Sequence, residues 1–385
     1  MRKVLTAAAI PAALTVITAL FTTAAEAAPP VQVAAAKGEV VAGEYIVTTA
    51  PGKARAVSTQ RAAGSVLQVY EHALHGFAAK LTDAQLRALQ RDRDVLTIEP
   101  NQRITVGIDA VQSPTPNWGV DRIDQRNLPL TNSYTYFNPG LGVTAYVIDT
   151  GINVTHPNFG GRAAVAFDAL GGNGLDCNGQ GTHNAGVIGS TTYGVAKQVQ
   201  LRSVRVVDCN GAGTYATIIA GVNWVQANSP GPSVALMALG GPKSLALDAA
   251  VNSLSASGVF VVVSGGSSSA DACNFSPQGA TAAFAVIRST QTDTGAASNN
   301  FGPCIKMHAP GTLITSTFLN NGTATWSGTA MAAAHVAGVA AMFKDAVNDV
   351  PSSVVSAFLL GVATPGVLTS LPPGAPNLLL YTNLI

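Results

Sequence analysis

Short apolar runs alternate with helical patterns from Asn117 to the last residue of the chain. The apolar runs predict buried strands, and they cover residues 143–148, 199–207, 234–239 and 259–263. The helical patterns between them cover residues 182–188, 216–227 and 247–256. This alternation predicts an α/β fold in which a parallel sheet carries helices on both faces. In such sheets, chemistry gathers at the carboxyl ends of the strands.

A different pattern precedes this body. Four strand-like runs and one helix, which opens at Thr82-Asp83-Ala84-Gln85, predict a small α+β domain over residues 43–106, with a further helix inside its first loop. The strand-like runs cover residues 44–48, 67–70, 76–81 and 95–100. Residues 28–42 and 107–116 are predicted linkers, and residues 117–385 form the main domain.

The first 27 residues have the pattern of a secretory signal peptide. Met1-Arg2-Lys3 is positive, residues 4–21 are mostly apolar and uncharged, and Ala25-Glu26-Ala27 offers small residues for cleavage. A membrane anchor is the alternative, but Pro11 interrupts the run and it is short for a spanning helix. We therefore expect a secreted, extracellular protein with no membrane contact after the signal is removed.

Charge and cysteine content narrow the function classes. The chain has 21 Lys and Arg against 20 Asp and Glu, so nothing in the balance indicates a nucleic-acid partner. Four cysteines in an exported chain predict two disulfides, for which three connectivities are possible. Pairing neighbours, Cys177 with Cys209 and Cys273 with Cys304, would close two loops of about thirty residues, each stabilising by roughly 3 kcal/mol. A zinc site is the alternative, but no two cysteines have the C-x-x-C spacing.

Three separated segments carry the candidate chemistry. Asp149-Thr150-Gly151 directly follows a buried apolar run, which puts a carboxylate at the edge of the predicted sheet. Alone, this aspartate would be interpreted as a turn cap. Two small-residue turns that open helices accompany it, at Gly179-Gln180-Gly181-Thr182-His183 and at Ser327-Gly328-Thr329-Ala330-Met331-Ala332.

These segments resemble the subtilase family of serine peptidases, and within it the proteinase K branch. The matches begin near Trp118 and include Tyr146-Val147-Ile148-Asp149-Thr150-Gly151-Ile152, Gly181-Thr182-His183, Tyr193-Gly194-Val195-Ala196-Lys197, Leu239-Gly240-Gly241, His308-Ala309-Pro310-Gly311-Thr312 and His335-Val336-Ala337-Gly338. The resemblance implies a subtilisin-like sheet and an inhibitory propeptide at residues 43–106, where His75-Gly76-Phe77-Ala78-Ala79 matches. The cysteines fall where extracellular relatives have them, which favours the neighbour pairing.

The resemblance also implies a catalytic triad, and here the chain departs from the family. Asp149 stands at the family aspartate, but Gln180 replaces the histidine and Ala330 replaces the serine. Ser267 occupies the position of the asparagine that helps to hold the oxyanion. Serine needs a histidine to become nucleophilic, and an aspartate to orient that histidine. We therefore expect a natural pseudoprotease without ordinary peptidase activity, in preference to an engineered knock-out, because Ala238 and Ala334 also depart from the family.

The family grips substrate as an added strand between two main-chain segments, which correspond to Gly211-Ala212-Gly213 and Ala238-Leu239-Gly240. Ser264-Gly265-Gly266 would line its specificity pocket. The expected partners are a peptide or protein ligand in this cleft and the chain's own propeptide, on a monomer. Two alternatives stay open: an enzyme of altered chemistry centred on Asp149, and residual serine-type endopeptidase activity, for which Thr329 and Ser327 offer hydroxyls beside Ala330.

No cofactor is required for any of these functions. Asp121, Asp124 and Gln125 resemble part of a calcium site of some relatives, and hard oxygen ligands suit that ion. The alternative is an ordinary surface turn. A structural calcium is therefore a secondary expectation.

Overall fold

A computed structural model describes residues 29–35, 40–102 and 110–385. The predicted signal peptide lies outside the described residues. The chain divides into two compact units, Met1–Thr105 and Val106–Ile385, which are described separately.

The first unit is a four-stranded antiparallel sheet with two helices, in the strand order β2-β3-β1-β4. Its elements are β1 Val40–Thr49, α1 Ala54–Arg61, β2 Val66–Tyr70, β3 Gly76–Lys80, α2 Asp83–Gln90 and β4 Val95–Gln102. Thr82 caps α2 through a reciprocal capping box with Gln85, as the sequence predicts. Val47, Phe77 and Leu89 are fully buried in its core.

The second unit is built on a nine-stranded, mostly parallel sheet with the order β18-β19-β15-β14-β12-β10-β7-β9-β8. Its strands are β5 Ala110–Gln112, β6 Tyr134–Tyr136, β7 Thr144–Asp149, β8 Ala163–Asp168, β9 Gln200–Arg205, β10 Ser233–Met237, β11 Gly241–Pro242, β12 Phe260–Ser264, β13 Phe275–Ser276, β14 Phe284–Ser289, β15 Ile305–Pro310, β16 Ile314–Thr317, β17 Thr323–Trp326, β18 Thr364–Pro365 and β19 Leu378–Leu379. Asp149 is the last residue of β7 and does not follow the strand, a difference of one position from the sequence prediction.

Helices cover both faces of this sheet. They are α3 Trp118–Ile123, α4 Gln180–Gly189, α5 Tyr215–Ala227, α6 Leu245–Ala256, α7 Thr329–Val347 and α8 Ser352–Val362. Successive residues of β7 point to opposite faces: Ala145 and Val147 pack in the cluster that contains α4, α7 and α8, and Tyr146 and Ile148 pack in the cluster that contains α5 and α6. The predicted subtilisin-like α/β architecture is confirmed.

The longest helix, α7, crosses the middle of one sheet face. Its 19 residues are apolar and long enough to span a membrane, but most of them are buried inside the described structure, as expected for the core helix of a globular unit. Ala332, Ala333 and Ala334 are fully buried. Such small side chains let the helix backbone approach the sheet closely, which fixes the position of its first turn at the sheet edge.

Two disulfides join neighbouring cysteines. Cys177 pairs with Cys209 and Cys273 pairs with Cys304, at sequence separations of 32 and 31. All four cysteines of the chain are therefore used, and none remains for a zinc site.

Candidate active site

Asp149 ends β7 and is fully buried. Its carboxylate accepts hydrogen bonds from the Thr150 backbone N–H at 2.8 Å, from Asn184 Nδ2 at 2.9 Å, and from Gln180 Nε2 at 3.0 and 3.2 Å. Burial raises the pKa of Asp149 to about 7, although these hydrogen bonds oppose the rise; the charge of Asp176 adds to it. The carboxylate therefore has donors around it but, among the described residues, no cationic partner.

Gln180 is the first residue of α4, and the glycines on both sides of it lie in tightly packed positions that have no room for a side chain. Gly179 has a φ of +108°, and a Cβ there would collide with the ring of Phe318. A Cβ on Gly181 would collide with the carbonyl oxygen of Gly151. The motif therefore needs glycine at both places to bring the Gln180 backbone against the end of β7.

The Gln180 amide has a fixed orientation. Its Nε2 donates to Asp149 and also to the backbone carbonyl of Ala238, at 3.0 Å. Reversing the amide would place Oε1 against acceptors only, so the nitrogen stays on this side. Among the described residues, Oε1 has no hydrogen-bond partner, and it is the only amide atom left to meet a ligand.

Ala330 lies in the first turn of α7 and carries no polar side-chain atom. The two neighbouring hydroxyls are engaged elsewhere. Thr329 Oγ1 lies 2.6 Å from Ser264 Oγ and accepts from the Gly266 N–H at 3.2 Å, and Ser327 Oγ accepts from the Leu313 N–H at 2.8 Å. In the part of the chain that the structure describes, neither hydroxyl has a base as a hydrogen-bond partner.

His183, one helical turn after Gln180, is not a replacement base. Its Nε2 lies 3.1 Å from the carbonyl oxygen of Ile314 and 3.2 Å from that of Ala324, and its ring stacks on Trp326. Burial lowers the pKa of His183 to about 4. The imidazole is therefore neutral and is held among carbonyl oxygens.

The positions expected to depart from the family pattern, Gln180, Ala330, Ser267 and Ala238, line one cavity of about 360 Å³. Residues from the sequence analysis that line it are Gln180, Ala330, Ser267, Ala238, Leu239, Gly240, Ser264 and Gly266. Gly265 does not line it: this residue is buried, with its N–H bonded to Val286 and its carbonyl to Asn300 Nδ2. Ser267 is exposed at the edge.

A second cavity of about 530 Å³ shares Leu239 and Gly240 with the first and is also lined by Gly211, Ala212 and Gly213. The two main-chain segments predicted to hold a peptide therefore face one another across one groove. Asn178 Nδ2 donates to the carbonyl of Cys209 at 2.9 Å, so the loop before α4 is tied to the segment that forms one of these walls.

Sequence reasoning missed several residues of this site, and two of them hold the end of β7 in place. Asn184 holds Asp149 from one helical turn beyond Gln180, and an i, i+4 polar pair facing a buried strand end was the available signal. Asp176 accepts from Thr150 Oγ1 at 2.9 Å and from Thr182 Oγ1 at 2.6 Å, and so joins the end of β7 to α4. No pattern in the sequence indicated this network.

The three residues of the calcium prediction lie close in sequence at the end of α3. Asp121 accepts from Thr131 and Asn132, and Asp124 accepts from the Thr135 N–H at 2.7 Å. Gln125 Oε1 is buried without a hydrogen-bond partner. Burial raises the pKa of Asp124 to about 7. Within the described residues, no three His, Cys, Asp or Glu side chains gather as a metal site, although carboxylate and amide oxygens are the type of donor that calcium takes.

Comparison with known proteins agrees with this geometry. The model of the Subtilase family matches residues 140–377, and the model named Peptidase inhibitor I9 matches residues 44–106. The chain is 48% identical over 319 residues to an Extracellular serine proteinase of Thermus sp. (strain Rt41A), covering 82% of this chain and 77% of that protein. It is 37% identical to Proteinase R of Parengyodontium album, with 92% of each chain covered.

A solved structure, that of a cold adapted subtilisin-like serine proteinase, is similar with a TM-score of 0.69 and 45% identity, over 70% of this chain and 99% of that one. Fold, motifs and relatives agree, and the chain belongs to the subtilase family, with a propeptide domain of the inhibitor I9 type at its N-terminal side.

Proposed function

We propose that this protein is a secreted, monomeric subtilase homologue that binds peptides in its cleft and does not cleave them. One observation carries the proposal: the amide of Gln180, bonded to Asp149 and Ala238, stands where family members have the general base, beside a methyl group at Ala330. An amide cannot take up a proton near neutral pH, and a methyl group has no oxygen to attack a carbonyl. Both halves of the acyl-transfer step are missing.

The fold-losses in turnover that follow removal of catalytic residues in a relative support the proposed loss of turnover here. In subtilisin, a relative that serves as the standard example, removing the serine or the histidine lowers turnover by about 10⁶-fold. Removing the asparagine-type oxyanion donor there costs about 10² to 10³, although these effects are not additive. Ser267 has a shorter side chain than that asparagine and is exposed at the cavity edge. Little of the family's rate enhancement would remain.

Peptide binding does not depend on the residues that changed. A peptide added as a strand forms hydrogen bonds with main-chain groups, and residues 211–213 and 239–240 line an open cavity between them. Their main-chain geometry is set by the sheet and its loops. Because family members cut their own propeptide, a homologue without nucleophile or base would retain it as its first ligand.

A second candidate function rests on Asp149. Its pKa of about 7 would let it exchange a proton near neutral pH, as a general acid or base of another hydrolase would. Its complete burial behind Gln180 weighs against direct contact with a substrate. A pH-dependent activity that is abolished by Asp149→Asn would favour this candidate over the first.

The test compares the natural chain with the double variant Gln180→His plus Ala330→Ser. Turnover is assayed on casein and small peptide esters, and peptide affinity is measured by fluorescence polarisation. We expect binding without turnover for the natural chain and turnover for the variant. Hydrolysis of the esters by the natural chain, at a rate comparable to the variant, would contradict the proposal.

Calcium is a further proposed feature of the same protein. Asp121, Asp124 and Gln125 would supply its oxygen ligands, and the orphaned Oε1 of Gln125 supports this assignment. The ion would stabilise the turn after α3 and takes no part in the cleft.

A further inference from the structure

Gln278 is a residue of the cleft that no motif indicated. It lines the cavity of about 360 Å³ and is only 4% exposed. Its amide lies against exposed Gly240: a Cβ built there would stand 2.6 Å from Nε2 and 3.0 Å from Oε1. The absence of a side chain at Gly240 therefore leaves this amide next to the groove.

The two ends of the Gln278 amide differ. Nε2 donates to the backbone carbonyl of Ser264 at 2.6 Å, whereas Oε1 is buried without any hydrogen-bond partner. Reversing the amide would set two oxygens against each other, so the orientation is fixed. A buried acceptor left unpaired destabilises the protein, and a donor that reached it would recover part of that loss.

The surrounding wall is held firmly. Asn300 Oδ1 accepts from the N–H groups of Ser268 and Ala270, at 2.8 and 3.2 Å, and its Nδ2 donates to the carbonyl of Gly265 at 3.0 Å. With Thr329 bonded to Ser264, this arrangement fixes the loop opposite Gly240. A rigid wall keeps the cavity from collapsing onto the orphaned oxygen.

The cavity is also electrically neutral. None of the described residues that line it is charged. Lys243, which donates to Gly279 beside Gln278, lies outside the lining and is paired with Asp248 at 2.7 Å. A cationic side chain entering the cavity would lose its water without gaining a carboxylate.

On the basis of the peptide-binding function proposed above, we infer that Gln278 is a specificity-determining residue. It selects peptides whose side chain in this cavity carries a neutral hydrogen-bond donor, and the primary amide of glutamine or asparagine fits best. Oε1 is covered in the unliganded cavity, and a small shift of the Gln278 side chain towards the ligand lets the ligand's amide N–H donate to it. An aliphatic side chain leaves that oxygen unpaired, and a lysine side chain brings an uncompensated charge.

The experiment uses fluorescent peptides of the form acetyl-Ala-Ala-X-Ala-amide, in which X is Gln, Met or Lys. Met is close to Gln in size and lacks the donor. For the full chain we expect Gln to bind about tenfold more tightly than Met, on the order of one hydrogen bond, and more tightly than Lys. In the Gln278→Met variant the preference for Gln over Met disappears. A matched control, Gln226→Met on the exposed side of α5, keeps the preference.

Equal affinity for Gln and Met peptides in the natural chain would overturn the inference and leave the peptide-binding function standing. Failure of every peptide to bind would overturn both. If Gln278→Met does not fold, the Gln180→His plus Ala330→Ser variant gives a second readout, because its cleavage sites in casein report the same cavity. Cleavage after Gln and Asn supports the inference, and cleavage after Leu and Met without this preference contradicts it.

Discussion

The cleft has walls and a centre, and the two depend on different features of the sequence. The centre is formed by Gln180 and Ala330. The walls, residues 211–213 and 238–240, would act through main-chain groups, which almost any small residue supplies. The centre would act through side chains, and a single exchange such as serine to Ala330 removes the reacting atom. On the proposed function, recognition survives the loss of catalysis because the two depend on different parts of the chain.

The framework behind the centre remains complete. Asp149 is buried and surrounded by donors. Asp176 accepts hydrogen bonds from Thr150, which follows β7, and from Thr182 in α4, and so joins the strand end to the helix. On the proposed function only the reacting side chains have changed, while Asp149 and Asp176 keep their hydrogen-bond donors; among the described residues, Asn184 Oδ1 is a buried acceptor without a partner. This contrast predicts that restoring a few side chains restores function.

The largest expected effect is on self-processing. Without nucleophile and base, the natural chain made in a protease-free host retains residues 43–106, so its mature N-terminus lies near Ala28. The Gln180→His plus Ala330→Ser variant cuts itself and begins between Gly107 and Trp118. N-terminal sequencing and intact mass measurement distinguish the two products, and each single variant, which lacks one half of the pair, serves as a control. A natural chain whose N-terminus lies near Trp118 would show that it cuts itself, and would contradict the proposed loss of catalysis.

The next effect concerns the Cys177–Cys209 disulfide, which joins the loop before α4 to the segment that leads into the 211–213 wall. Replacing Cys177 and Cys209 by serine opens a 32-residue loop and should lower the free energy of unfolding by about 3 kcal/mol. Because Cys209 lies two residues before the 211–213 wall, affinity for all peptides should fall as well. The comparison variant replaces Cys273 and Cys304, which close a loop of similar length that carries Gln278 and Asn300 of the other cavity. It should lose similar stability, measured by urea unfolding, and lose the preference for Gln over Met peptides, whereas opening the first loop lowers affinity for both peptides alike.

The pH dependence of stability tests the environment of Asp149. Its pKa of about 7 in the folded chain exceeds the ordinary value of 3.8, so between these values the folded state holds a proton that the unfolded state has released. This stabilisation is fully present below about pH 4 and is lost as the pH rises through about 7, at up to about 1.4 kcal/mol per pH unit.

The difference in unfolding free energy between the natural chain and Asp149→Asn isolates this contribution. Asp124 and the buried histidines, which also titrate abnormally, are common to both proteins and cancel. A difference that stays constant from pH 4 to 7 would show that Asp149 is ionised throughout, and that its donors outweigh its burial.

The smallest effect is that of calcium, which we expect to stabilise the chain without changing the cleft. At a calcium concentration ten times its Kd, the free energy of unfolding should rise by about 1.4 kcal/mol. Asp124→Asn should remove this gain, whereas Asp83→Asn, an exposed carboxylate of the first unit, should not. Thermal unfolding with calcium and with a chelator measures it. A fall in peptide affinity after chelation would show that the calcium site influences the cleft, and would contradict this prediction.

The sequence was sufficient for the fold because the evidence was local or carried by motifs. Thr82 and Gln85 indicated the start of a helix within one turn, and the alternating runs indicated the parallel sheet. The contacts of Gln180 with Ala238, and of Gln278 with Ser264 and Gly240, could not be predicted in the same way. They join residues from different loops, and their approach depends on the order of strands in the sheet and on tight glycine positions.

Covalent labelling with a fluorophosphonate probe tests the central claim most directly, because the probe reports an activated serine whatever the substrate preference. The natural chain is incubated with the probe beside the Gln180→His plus Ala330→Ser variant, and both intact masses are measured. The account predicts an adduct on the variant alone. A stoichiometric adduct on the natural chain would contradict it.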